Sequence, residues 1–284
     1  MYEAMPQVSV VVPCYNGGKF VPALLEALAA QTVRDFETII VDDGSTDPLT
    51  QNVLATLPDS IRVVRQANAG LPGARNTGFA AARAPFVLPL DCDDAILPTF
   101  LETGLAMLAA APSPRCFVYS DLVLHGARTG ALRRRFNRFD QLFLNQLPYA
   151  LLMPRGAWAE VGGYDATMRD GYEDWEFNLR LVKAGYRGLR LPEPLFHYYV
   201  RPDGMHLSHS ALRHGKIWRY IRGKHADAYE LGAVLSAWRD QTADPARVPA
   251  WLAMMLLAAA RTLPDKLFSH LYRLMLLARA RQQA

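Results

Sequence analysis

Cysteine is scarce in this chain. Cys14, Cys92 and Cys116 are scattered, with no Cys-x-x-Cys pair and no His-partnered zinc spacing. That pattern excludes a disulfide framework and a structural zinc site, and predicts free buried thiols in a reducing compartment. No run reaches the ~18 uninterrupted apolar residues that a membrane-spanning helix needs. The opening Met1-Tyr2-Glu3-Ala4-Met5-Pro6 has no basic stretch leading into an apolar one, so no secretory leader is expected and the expected location is the cytoplasm. Neither sign of charge is in large excess: 31 Lys and Arg stand against 27 Asp and Glu, a net of +4. This gives no case for a nucleic-acid partner. Two nucleotide motifs are also missing. No G-x-G-x-x-G follows the first apolar run, which disfavours a nicotinamide-dependent oxidoreductase. Gly17-Gly18-Lys19 is followed by Phe20 instead of Ser or Thr, which disfavours a P-loop NTPase.

What is present is apolar and regularly patterned. Apolar residues make up 51% of 284 positions, enough for one large domain or a domain with an appendage. Val8-Ser9-Val10-Val11-Val12 reads as a strand buried on both faces, and Thr38-Ile39-Ile40-Val41, Ile61-Arg62-Val63-Val64 and Phe86-Val87-Leu88-Pro89-Leu90 read as the second, third and fourth strands. Pro89 is awkward in the last, because it removes a ladder donor. Helical patterns lie between them: Phe20, Leu24 and Leu28 on one stripe, then the small residues from Gly73 to Ala84. Alternation of this kind predicts an α/β fold with parallel strands and helices on both faces, with ligands at the carboxyl ends of the strands. Later, 117–120 and 149–153 read as strands, and a helix carries Trp175, Leu179 and Val182 with Gly185 as its cap. After about residue 206 the pattern is helical only. The expected division is therefore a catalytic domain over 1–205 and a helical C-terminal extension over 206–284.

Polar clusters stand at three of the expected strand ends: Cys14-Tyr15-Asn16, Asp42-Asp43-Gly44-Ser45 and Asp91-Cys92-Asp93-Asp94. Carboxylates one residue apart repel unless a hard cation relieves them, and Mg2+ or Mn2+ takes one or two carboxylates with water and phosphate oxygens. The plain alternative for Asp94 is a helix N-cap ahead of Pro98. Asp42 and Asp43 suit a base N–H or a ribose hydroxyl, and equally an Asx turn. Arg75, near a helix start, suits a base carbonyl or a phosphate, and helix-start N–H groups favour anions. Glu173-Asp174 at the start of the Trp175 helix suits a general base, or simply the helix dipole. The segment from His197 to Ser208 suits a lid, with a histidine on the metal and Arg201 on a diphosphate, or an ordinary loop.

Together these stretches resemble the inverting GT-A glycosyltransferases of family 2. The matching pieces run in order from Val8-Ser9-Val10-Val11-Val12-Pro13-Cys14-Tyr15-Asn16 through Val41-Asp42-Asp43-Gly44-Ser45-Thr46-Asp47 and Gly73-Ala74-Arg75-Asn76 to Leu90-Asp91-Cys92-Asp93-Asp94. They continue with Val161-Gly162-Gly163-Tyr164-Asp165 and Glu173-Asp174. The resemblance covers roughly residues 7 to 210. It implies a Rossmann-like GT-A domain with a nucleotide-sugar donor, most often UDP-linked. The base would lie among Pro13, Tyr15, Asp43 and Arg75, with Asn16, Asp42 and Cys92 in the same donor set. Asp91 would sit near the ribose and Asp93 on a divalent ion, with Asp91 and His206 as further ligands. Asp174, beside Glu173, would deprotonate an acceptor hydroxyl of a glycan or a lipid-linked acceptor. After the paired tyrosines the family usually has a basic residue, a His and a Ser. Here Arg201, His206 and Ser208 fit, and His209 competes.

Two other functions share parts of this pattern. A sugar-nucleotide pyrophosphorylase would want a Gly-rich, cation-bearing loop after the first strand, where this chain has Cys14-Tyr15-Asn16-Gly17-Gly18-Lys19. A non-catalytic sugar-nucleotide sensor would have no need of both Asp93 and Asp174. At the C-terminus, 251–260 is a ten-residue apolar run, too short to cross a bilayer, and Leu267, Leu271, Leu274 and Ala278 form a stripe. Residues 251–284 carry five basic residues and one acid. Such an end suits packing on the catalytic domain, a homodimer, or peripheral contact with the inner face of an anionic membrane.

Overall fold

The computed structural model describes residues 5–201, 213–239 and 248–282, with backbone only at 273 and 275–282. The strands are β1 (Val8–Cys14), β2 (Phe36–Asp42), β3 (Ile61–Arg65), β4 (Phe86–Pro89), β5 (Ala95–Ile96), β6 (Cys116–Gly126), β7 (Gly130–Leu132), β8 (Met153–Pro154) and β9 (Arg187–Val200). The α-helices are α1 (Val21–Ala29), α2 (Pro48–Ala55), α3 (Gly70–Ala81), α4 (Phe100–Ala109), α5 (Arg138–Gln141), α6 (Arg155–Glu160) and α7 (Glu173–Lys183). Four more follow: α8 (His214–Lys224), α9 (Leu231–Arg239), α10 (Ala250–Thr262) and α11 (Asp265–Gln282). The chain forms two compact units. The first comprises residues up to Arg134, Leu147–Arg169 and Glu173–Val200. The second comprises Arg135–Gln146, Asp170–Tyr172 and the chain from Arg201 onward.

The first unit is α/β, as the alternation of strands and helices predicts. One sheet has the order β3-β2-β1-β4-β8, parallel except for β8. Every residue of β1 is buried, as its β-branched run predicts for a strand covered on both faces. Helix α3 lies close on this sheet because Gly78 permits it. A Cβ there would come within 2.2 Å of Val11 Cγ1. Pro89 is tolerated by position. Phe86 and Leu90 donate to Gln7 and Val11 on the β1 side, so the Pro89 nitrogen faces the other edge. There β8 pairs only with Phe86 and Val87, and no ladder donor is lost. A second sheet, β5-β9-β6-β7, carries the long parallel β6–β9 pair. The strand expected over 149–153 is shorter than its apolar run suggests. Only Met153–Pro154 pairs with β4, and Leu152 makes an isolated bridge to Val118.

The second unit is helical with an aromatic centre. His214 stacks on Tyr272 with ring centroids 3.7 Å apart, and Trp218 stacks on Phe268 at 5.5 Å. The polar edges of these rings find backbone partners. Trp218 Nε1 and the Tyr229 hydroxyl donate to Leu142 O, and the Tyr272 hydroxyl donates to Phe143 O.

Candidate active site

The three polar clusters converge at the carboxyl edge of the parallel sheet. Asn16, in the left-handed region at φ 51°, accepts from the backbone N–H groups of Thr46 and Asp47 at 2.8 and 2.9 Å. It thereby joins the loop after β1 to the loop after β2. The thiol of Cys14, at the end of β1, and that of Cys92, in the loop after β4, lie against each other beside Gly17. The approach is close enough that a Cβ on Gly17 would meet Cys92 Sγ at 2.5 Å. Pro13 is buried in β1, whereas Tyr15 is 53% exposed above it.

Asp42 and Asp43 are both occupied by the protein itself. Asp42 Oδ1 accepts from Ser45 N, the Asx-type turn. Asp43 accepts from Gln66 Nε2 and from the N–H groups of Ala69 and Gly70 at the start of α3. The anion at this helix start is therefore Asp43, where sequence reasoning allowed a phosphate. Arg75 also differs from expectation. It is 1% exposed, and its two terminal nitrogens each lie 2.8 Å from a carboxylate, Asp91 on one side and Glu173 on the other. Its guanidinium lies over the ring of Tyr149 at 4.7 Å and that of Tyr164 at 5.5 Å. A group so enclosed positions two carboxylates and does not reach out to a base or phosphate.

That bridge couples the loop after β4 to the start of α7. Burial pushes Glu173 above the ordinary carboxylate range, Arg75 pulls it back, and Asp174 pushes it up again. Glu173 is thus committed to Arg75, and the half-buried Asp174 beside it is the carboxylate with access. Helix α7 holds both rigidly. Trp175, Leu179 and Val182 are buried, and the helix ends in a Schellman motif in which Gly185 N donates to Val182 O and Tyr186 N to Leu181 O.

Asp94 is not the N-cap that its position suggested. Helix α4 starts at Phe100, and Asp94 instead accepts from the Tyr149 hydroxyl at 2.5 Å and from Tyr199 N at 2.7 Å. Tyr149 in turn accepts from Asp91 N at 3.0 Å. One phenol therefore fixes both ends of the Asp91–Asp94 loop. Burial raises Asp94 well above its usual range, with the charges of Asp91 and Asp93 adding to the effect. The Tyr198 phenol is raised by burial and then by Asp94, Asp91, Asp174 and Asp93 in turn. The carboxylates of the loop after β4 and of α7 thus act on one point. Arg201 is half-buried directly after β9, and His206 lies outside the described residues. Sequence reasoning missed Tyr149, which looked like one apolar strand residue among several. It also missed the role of Asn76, whose side chain binds both the N–H and the carbonyl of Tyr164.

The family model described as Glycosyl transferase family 2 matches residues 9–152. A PGL/p-HBAD biosynthesis glycosyltransferase of Mycobacterium bovis (strain BCG / Pasteur 1173P2) is 30% identical over 183 residues, 62% of this chain and 70% of that one. The chain belongs to glycosyl transferase family 2. Solved structures of similar fold include S. aureus TarS 1–349 in complex with UDP-GlcNAc. It has a TM-score of 0.63 at 19% identity, over 90% of this chain and 73% of that one. The chain covers 39% of a longer TarS chain. The mannosyltransferase PcManGT from Pyrobaculum calidifontis, in complex with GDP-Man and Mn2+, has a TM-score of 0.57 at 18% identity, over 98% and 87%. Within this glycosyltransferase the family match includes the three converging loops, Arg75 and Tyr149. Asp174 lies beyond it.

Proposed function

We propose that this family 2 enzyme moves a sugar from a UDP-linked donor to an acceptor hydroxyl with inversion, using Asp174 as base. The observation that carries the proposal is the Asp91–Arg75–Glu173 bridge. It ties the carboxylate loop after β4 to the helix that presents Asp174. The acceptor oxygen forms a bond to the anomeric carbon as the bond to the diphosphate oxygen breaks. Asp174 takes the hydroxyl proton, and the nucleoside diphosphate leaves. A single displacement of this kind inverts the anomeric centre. Tyr15 and Asn16 line the nucleotide end, Asp43 anchors the start of α3, and Arg75 holds the carboxylates in register. The UDP preference is supported by the fold likeness to a UDP-GlcNAc complex, with the GDP-Man complex as the competing precedent.

The residues present fit a divalent ion. Asp91 and Asp93 stand one residue apart on a half-buried loop, and their charge adds to the effect of burial in raising Asp94 and Tyr198. Among the described residues no group of three His, Cys, Asp or Glu is arranged to hold an ion. Mg2+ or Mn2+ needs only one or two carboxylates when diphosphate and water complete its shell. Asp93 and Asp91 would hold it, with His206 as the third candidate. A bound ion would neutralise charge on the departing diphosphate. The test is donor binding by Asp93→Ala across a manganese titration, with a panel of nucleotide sugars. The expected result is loss of metal-dependent binding. Unchanged manganese dependence would place the ion elsewhere. Slow release of free sugar and nucleoside diphosphate without acceptor is also expected, and its absence would favour a non-catalytic sensor.

A further inference from the structure

Helix α11 is apolar on two sides. Its inner side packs Phe268 and Tyr272 against Trp218 and His214 of α8. Its outer side exposes Leu267, Leu271 and Leu274 at 47, 47 and 49%, with Lys266 and His270 exposed beside them. Spacings of four and three residues place those leucines on one stripe. Helix α10 repeats the arrangement. Ala253, Leu256, Leu257 and Ala260 are buried, while Trp251 and Met255 stand 64 and 60% exposed, and Arg261 is exposed near the helix end. One apolar face suffices to hold each helix on its own unit. Each carries a second one, and clustered exposed apolar side chains mark an interaction surface.

The charge of this part of the chain indicates the partner. Residues 201–284 contain thirteen Lys and Arg against six Asp and Glu, a net of +7, so residues 1–200 are net −3 within a chain of +4. Two such units would repel each other, which disfavours a second copy as the occupant. No described helix is long and apolar enough to cross a membrane. We propose that the outer faces of α10 and α11 dock onto an anionic bilayer surface. Trp251 and the leucine stripe enter the headgroup boundary, and the basic residues face lipid phosphates. Trp favours that boundary because its ring is apolar and its N–H polar, and basic residues near an anionic surface add attraction that salt screens. The docking is independent of the transferase chemistry.

The test is vesicle sedimentation of the full chain without donor, using phosphatidylcholine vesicles with and without phosphatidylglycerol, at low and high salt. Binding should require the anionic lipid and weaken at high salt. Trp251→Glu with Leu271→Glu should lower it by at least about tenfold, and Lys266→Ala should lower it by about fivefold. Circular dichroism of each variant checks folding, and the lipid and salt dependence of the unaltered chain keeps the test decisive if a variant fails to fold. Failure of the unaltered chain to bind anionic vesicles, or equal binding to neutral ones, would overturn the proposal. So would a dimer seen by sedimentation velocity that the double substitution dissolves, with no vesicle binding at all.

Discussion

Arg75 and Asp91 meet at 2.8 Å, with the Arg75 side chain almost wholly buried and that of Asp91 22% exposed. The other end of the same guanidinium holds Glu173, 98 residues away in sequence. A single side chain from α3 thus sets the spacing between the loop that would carry a metal and the helix that would carry a base.

Arg75→Lys tests that bridge. An ammonium is a point donor and cannot span two carboxylates as the planar guanidinium does. One buried carboxylate is left uncompensated, a class of change that costs about 3–5 kcal/mol. The expected outcome is a large fall in the urea midpoint together with a fall in turnover. A variant as stable as the parent would show that the bridge is incidental.

Tyr149→Phe removes only an oxygen. It leaves Asp91 N and Asp94 without their shared partner, at a cost of about 1–3 kcal/mol. A group that orients ligands from behind typically changes metal affinity or activity by ~10–100-fold. Half-saturation by manganese should therefore rise by that order, while the variant stays folded. Unchanged manganese half-saturation with lower stability would reduce Tyr149 to a packing residue.

The division between what was legible in the sequence and what was not follows interaction range. The apolar runs of β1, β2 and β4 and the polar residues just past them are local signals. They were enough for the parallel sheet and for three clusters at its carboxyl edge. Asp43 at the start of α3 was legible as a turn carboxylate, though not as a helix anchor 26 residues from its partner Ala69. Tyr149 binds across 55 and 58 residues, and no spacing rule reaches that far. Nor could composition tell that α11 would expose Leu267, Leu271 and Leu274 while packing Phe268 and Tyr272 inward.

Acid should loosen the helical unit. Burial, reinforced by Arg222, lowers His214 from 6.5 to about 3. Below pH 6.5 the unfolded chain takes up a proton that the folded chain refuses. Stability should therefore be flat above that pH, then fall by roughly 1.4 kcal/mol per pH unit toward pH 3 from this site. His214→Phe should remove that part of the acid slope in urea melts monitored between pH 7 and 4. An identical slope in the variant would assign it to other groups.

The most direct test of the central claim is Asp174→Asn, assayed for turnover and donor affinity in parallel. The substitution keeps shape and removes basicity. General-base catalysis contributes ~10²–10⁴-fold, so turnover should fall by that order with donor affinity nearly unchanged. Retention of most of the turnover would contradict the account and leave Asp174 as a residue that merely begins α7.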